Sequence, residues 1–253
     1  MSEILQRRII IGDVHGHFEG LMTLMETIAP GVNDHIYFLG DLIDRGPESA
    51  RVVDFVQEKG YPCLLGNHEQ LMLEAFPDGY AYTPALQAWL YSGGRTTIAS
   101  YGDDLSKVLD HVEWFKTLPN YLDLGDIWLV HAGLHPRKSI LDQTNQDLCW
   151  IREEFHSSTQ PYFSDKLIIT GHTITFTFQN VAPGEVAQGC GWLDIDTGAY
   201  HPKSGWLTAL DIDNRRVYQV NVFKQISRIL PLDEVISPID PDRVARTRQP
   251  LSL

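Results

Sequence analysis

The chain has 253 residues, enough for one α/β domain of ordinary size or two small ones. Its 43% apolar residues can fill a core, and its 21% charged residues are an ordinary soluble share. A formal charge of −13 counts against nucleic acid and anionic membrane as partners, because both would repel it; an anion could bind only where cations reverse the sign locally.

The predicted elements begin with Arg8 to Ile11, a strand-length apolar run followed by Gly12. Phe18 to Ala29 repeats apolar residues at helical spacing and stops before Pro30-Gly31. Ile36 to Leu39 reads as the second strand. Ser49 to Lys59 reads as a helix that begins after Pro47 and is stopped by Gly60, and Pro62 to Leu65 reads as the third strand. This β-α-β-α-β order predicts a parallel sheet near the N-terminus. Residues 69–118 look mainly helical. Strands then dominate, at Ile127 to Val130, Leu167 to Thr170, Trp192 to Asp196, Trp206 to Asp211 and Arg216 to Val222, with the last two forming a hairpin across Asp213-Asn214. Residues 1–230 read as a single domain with no linker. Residues 231–253, with four prolines and little periodicity, read as a tail that lies on the domain or is disordered.

Cys63, Cys149 and Cys190 are sparse and form no CxxC, which points to free thiols in a reducing compartment. No apolar stretch approaches the ~20 residues that span a bilayer. The apolar run in MSEILQRRIIIGD is too short for the core of a signal peptide, so a cytoplasmic location is expected.

A shared pattern follows the apolar runs. Gly12-Asp13-Val14-His15-Gly16 follows the first. Gly40-Asp41-Leu42-Ile43-Asp44-Arg45-Gly46 follows the second, and Gly66-Asn67-His68-Glu69 the third. His131-Ala132-Gly133 and Gly171-His172 follow two later runs. The C-terminal edge of an open α/β sheet is where ligands bind. Asp, His and Asn without thiolate suit divalent Mn, Fe or Zn. Asp13 and His15, two apart on an extended segment, point the same way and can reach one ion. Asn67, His131 and His172 can reach another, and Asp41 can bridge the pair at ~3.5–4 Å. Taken singly, Asp13 could instead be a turn or helix-cap residue and Asn67 a turn residue. Five such clusters together favour a shared site.

The blocks GDVHG (12–16), GDLIDRG (40–46) and GNHE (66–69), with VHAGL (130–134) and TGHT (170–173), resemble the metal-dependent phosphoprotein phosphatases within the calcineurin-like metallophosphoesterases. Leu148-Cys149-Trp150-Ile151-Arg152 resembles the WxR motif of the bacterial and phage branch. The resemblance spans residues 8 to about 222 and implies a β-sandwich flanked by α-helices, in α-β-β-α layers. It implies that Asp13, His15 and Asp41 hold one metal, and Asp41, Asn67, His131 and His172 the other. It further implies that His68 is the proton donor paired with Asp44, and that Arg45 and Arg152 bind phosphate, alongside Asn67. Arg152 could otherwise be a surface helix residue pairing with Glu153 or Glu154.

The implied cofactors are two divalent ions, Mn²⁺ first, with Fe or Zn as alternatives. A hydroxide shared by two such ions attacks phosphorus in line. A serine alkoxide leaves poorly and needs a proton, which His68 can supply if Asp44 keeps it protonated. The expected activity is hydrolysis of phosphoserine and phosphothreonine, extending to phosphotyrosine and small phosphomonoesters. The alternatives are a diadenosine tetraphosphate (dinucleoside polyphosphate) hydrolase and, in another class, a non-catalytic metal-dependent module that binds phosphorylated ligands. The symmetrical dinucleotide hydrolases typically carry alanine where this chain has Asp44 and aspartate where it has Glu69, which favours the protein phosphatases. A nuclease is disfavoured by the charge.

Overall fold

Ile9, Ile10 and Ile11 are all fully buried, which a strand achieves only when both of its faces are covered. The structure, a computed structural model, describes residues 6–77, 80 and 82–244. Its first half runs β1 (Arg8–Ile11), α1 (Phe18–Ile28), β2 (His35–Phe38), α2 (Ser49–Lys59), α3 (Asn67–Ala75), α4 (Thr83–Trp89), a π-helical turn (Leu90–Gly94), α5 (Arg95–Tyr101) and α6 (Leu105–Phe115). The middle runs β3 (Tyr121–Asp123), β4 (Ile127–Val130), α7 (Asn145–Trp150), α8 (Glu153–His156), β5 (Leu167–Thr170), β6 (Val186–Gly189) and β7 (Trp192–Asp194). The chain finishes with β8 (Trp206–Asp211), β9 (Arg216–Asn221), β10 (Ile226–Pro231), α9 (Leu232–Val235), β11 (Ile236–Pro238) and α10 (Pro241–Val244).

Two sheets form, ordered β10-β9-β8-β1-β2 and β11-β6-β7-β5-β4-β3. Alternate residues of the strands feed three apolar layers. Ile9, Ile11 and Phe38 pack outward with α1 and α2 residues such as Leu21, Leu24 and Val53. Ile10, Leu129, Ile169 and Leu210 meet between the sheets. Trp128, Val130 and Ile168 pack outward with Leu148 and Phe155 of α7 and α8. The result is the expected α-β-β-α sandwich.

β1 and β2 pair in parallel, with Ile9 opposite Ile36. β8 and β9 form the predicted hairpin, with Asp211 opposite Arg216. Two expectations change. Pro62–Leu65 makes only an isolated parallel bridge, Phe38 to Cys63, because α3 starts at Asn67 and turns the chain away. Residues 231–238 were expected to be part of a tail. Instead Pro231 ends β10, Leu232 and Val235 enter the layer between the sheets, and β11 pairs in parallel with β6, Ile236 opposite Val186. Prolines at both ends of this stretch mask its pairing in the sequence. Residues 1–5 of the expected domain and 245–253 of the expected tail lie outside the described residues. No helix among the described residues is long and apolar enough to cross a membrane.

Candidate metal centre

The loops that leave β1 and β2 are joined backbone to backbone. Val14 and His15 N–H groups both donate to the Asp41 carbonyl (3.1 and 2.9 Å), and Gly46 N–H donates to the His15 carbonyl (2.9 Å). This lacing curls the first loop: His15 has φ 49°, so Asp13 and His15 do not share one face of an extended segment as expected. Asp41, Asp44, Arg45 and His172 also have positive φ, a sparsely populated region for side-chain-bearing residues that clusters at functional sites. Glu69 holds the second loop against α3, its carboxylate accepting the N–H groups of Asp41, Leu42 and Gly66 (2.8, 2.8 and 3.1 Å). Burial and nearby Asp41 push the Glu69 pKa up to about 8, while those N–H groups oppose the shift. Only glycine fits at Gly66, since a Cβ there would lie 2.3 Å from Asp41 Oδ1.

Asp41 sits at the centre, 2% exposed. His131 Nε2 lies 3.3 Å from its Oδ1, and His15 Nε2 lies 3.6 Å from its Oδ2. His131 Nδ1 faces the Leu39 carbonyl at 2.8 Å and His15 Nδ1 faces the Ile43 carbonyl at 2.9 Å. A carbonyl only accepts, so each Nδ1 carries the proton and each Nε2 presents a lone pair inward. His131 Nε2 also meets Asn67 Oδ1 at 3.0 Å, and His172 Nδ1 meets the same oxygen at 2.8 Å. The His172 Nε2 is buried with no hydrogen-bond partner among the described residues. Asp13 accepts the His172 N–H (3.1 and 3.3 Å to its two oxygens).

Two groups of ligand atoms, His15/Asp41/His68 and Asp41/His131/His172, each lie within 4.8 Å and share Asp41. The protein charges conflict with one another here. Burial, then Asp196 and Asp41, push Asp13 well above the usual carboxylate range. Burial lowers His131, and burial with neighbouring His68 lowers His15 far below the usual imidazole value. Burial also opposes charge on Asp41, yet the imidazoles around it outweigh this and hold its carboxyl low. Converging lone pairs and crowded carboxylates are what divalent cations satisfy, and this donor set fits them.

Beside these groups His68 Nδ1 lies 2.6 Å from Asp44 Oδ2, with both residues buried. Arg45 Nη2 lies 3.1 Å from His68 Nε2, and its guanidinium stacks on the Tyr200 ring at 3.9 Å. Arg152 is exposed at the rim and donates to the His172 carbonyl (3.4 Å). A cavity of about 210 Å³ brings together Arg45, Asn67, His68, Arg152, His172 and Tyr200. Asp196 borders it too. Tyr200 and Thr97 had no signal in the sequence. Trp89 lies buried behind Asp44, and Tyr91 is 95% exposed.

The chain is 26% identical over 211 residues to the serine/threonine-protein phosphatase 2 of Escherichia coli (strain K12), a span of 79% of this chain and 89% of that protein. It is 33% identical over 135 residues to a symmetrical bis(5'-nucleosyl)-tetraphosphatase of Coxiella burnetii, covering 52% of this chain but only 43% of that protein. Among solved structures, the cold-active protein-tyrosine phosphatase of a psychrophile Shewanella sp. shares the fold, with TM-score 0.57 at 18% identity, covering 89% of this chain and 80% of that one. Residues 7–208, most of the sequence and every loop described above, match the calcineurin-like phosphoesterase family, and the chain belongs to it.

Proposed function

We propose that the chain is a dinuclear-metal phosphatase that hydrolyses phosphoserine and phosphothreonine, and accepts phosphotyrosine and small phosphomonoesters. Asp13, His15 and Asp41 would hold one cation, and Asp41, Asn67, His131 and His172 the other, Mn²⁺ being the first candidate. Divalent cations bound there lower the pKa of water toward neutrality and offset charge on the phosphoryl oxygens. Arg45 and Arg152 enter the same cavity from opposite sequence regions and supply forked donors for a phosphate.

The observation that carries this reading is the buried Asp44–His68 pair. Cleaving a serine or threonine phosphate expels an alkoxide, which needs a proton as the P–O bond breaks. Cleaving a dinucleoside polyphosphate expels a phosphate, already a stable anion at neutral pH, so a dedicated acid gains little. Burial disfavours the charged His68, but Asp41 and the hydrogen bond to Asp44 outweigh it and raise the His68 pKa. Arg45 Nη2 lies 3.1 Å from Nε2. A bound phosphate competes for Arg45 and leaves Nε2 free to carry the proton that the leaving oxygen takes. Asp44, fixed on Nδ1, keeps the ring oriented.

The test is kcat/KM in Mn²⁺ on a phosphoserine peptide, a phosphotyrosine peptide and diadenosine tetraphosphate. Preference for the phosphoserine peptide supports the reading. A preference for diadenosine tetraphosphate would replace it with the second reading, dinucleotide hydrolysis, which the 33% identity over 135 residues favours.

A further inference from the structure

Asp44 is fully buried, yet His68 is only one of the groups on its carboxylate. Trp89 Nε1 donates to both oxygens (3.0 and 2.9 Å), and Thr97 Oγ1 donates to Oδ1 (2.6 Å). The same Thr97 oxygen accepts the Asp44 N–H (2.8 Å), so one hydroxyl ties the backbone and carboxylate of a single residue. Ser49 Oγ accepts that N–H as well (3.0 Å) and contacts Thr97 Oγ1 (3.0 Å). One residue on, the Arg45 N–H donates to the Gly93 carbonyl (3.3 Å). Residues 89–97 therefore grip Asp44 and Arg45 by backbone and side chain together.

The grip has a conformational purpose. Asp44 and Arg45 have φ of 73° and 70°, two successive side-chain-bearing residues in the left-handed region. Such a pair persists only where its surroundings over-determine it. The kink at Gly93 between α4 and α5 supplies the surroundings. In an unbroken α-helix residues eight apart face directions about 80° different, but the turn between α4 and α5 brings Trp89 and Thr97 onto one carboxylate. Its pivot is Gly93, with φ 126°, where an added Cβ would lie 2.8 Å from Arg45 Cγ. Trp89 and Thr97 are also neutral donors. They fill the oxygen lone pairs that face away from His68 without bringing a competing cation, so Oδ2 remains directed at Nδ1.

We infer that Trp89 and Thr97 are positioning residues for the general acid, holding Asp44 so that His68 presents Nε2 to the leaving oxygen. This rests on the reading of His68 as the proton donor. A residue that acts through the acid affects poor leaving groups most, whereas a merely structural residue affects all substrates alike. The readout is the ratio of kcat on a phosphoserine peptide, whose alkoxide needs the proton, to kcat on p-nitrophenyl phosphate, whose phenolate does not. Thr97→Val, which keeps the shape and removes the hydroxyl, should lower this ratio by ~10-fold or more, a part of the roughly 10²–10⁴-fold that a general acid contributes. Thr97→Ser should restore it, and Trp89→Phe should lower it. His68→Asn in the same panel separates the two claims. If His68→Asn lowers the ratio and Thr97→Val does not, the positioning role is wrong while the acid stands. If His68→Asn leaves the ratio unchanged, the acid assignment fails and the inference fails with it.

Discussion

On the proposed reading, Asp41 and His68 divide the chemistry between neighbouring side chains. Asp41 Oδ2 lies 4.0 Å from His68 Nε2, yet Asp41 faces the lone pairs of His15 and His131 while His68 turns its Nδ1 to Asp44. The two are therefore separable by mutation. His68→Asn should cut kcat on a phosphoserine peptide by roughly 10²–10⁴ while metal content is kept; parent-like turnover would remove His68 as the acid. Arg45→Ala should raise KM and lower kcat together if Arg45 holds the phosphate as proposed; unchanged kinetics would contradict that role. Most of these residues were legible because each sits directly after an apolar run. Trp89 and Thr97 were not. Their contacts with Asp44 span 45 and 53 residues, and nothing in their own segment distinguishes a donor from a packing residue.

Strands buried on both faces read clearly, because every position in Arg8–Ile11 or Ile127–Val130 is apolar or half-buried. Edge strands read poorly. β10 alternates exposed and half-buried residues, and β11 is three residues long and ends in proline. Leu232, between them, is 1% exposed in the layer between the sheets. Leu232→Ala should cost about 2–5 kcal/mol in urea unfolding; a loss below measurement would return residues 231–238 to a tail. α7 offers a pH test. Its N-cap Thr144 and Asp147 form a capping box, and Lys138 Nζ lies 2.6 Å from Asp147 Oδ2. Burial raises the Asp147 pKa, but the bonds from Lys138 and Thr144 outweigh it and leave it below 3.8. The carboxylate therefore stabilises the fold fully above its unfolded pKa and loses that contribution as pH falls through the lower folded value. Asp147→Asn should be less stable than the parent at pH 7, with the gap closing as pH falls below the usual carboxylate range; a gap independent of pH would contradict the linkage.

Two parallel strand sets, from two sheets, aim their C-terminal loops at one place, and the cost is a cluster of buried acids. Asp13, Asp41, Asp194 and Asp196 are each at most 3% exposed, and burial pushes Asp196 up to about 6. Cations that bind only the folded chain relieve this crowding, so Mn²⁺ should raise Tm. At 100 times its Kd the stabilisation is about 2.7 kcal/mol, and a chelator should reverse it; a Tm indifferent to both would argue against a cation site. The sandwich and its ligand loops follow from local patterning, whereas the convergence of the two sheets depends on pairings that no single segment encodes. The central claim is that two cations share Asp41. Anomalous diffraction at the manganese edge from Mn²⁺-loaded crystals tests it most directly. Two peaks flanking the Asp41 carboxylate, one beside His15 and one beside His131 and His172, are predicted, whereas a single peak at saturating manganese, or peaks away from Asp41, would contradict it.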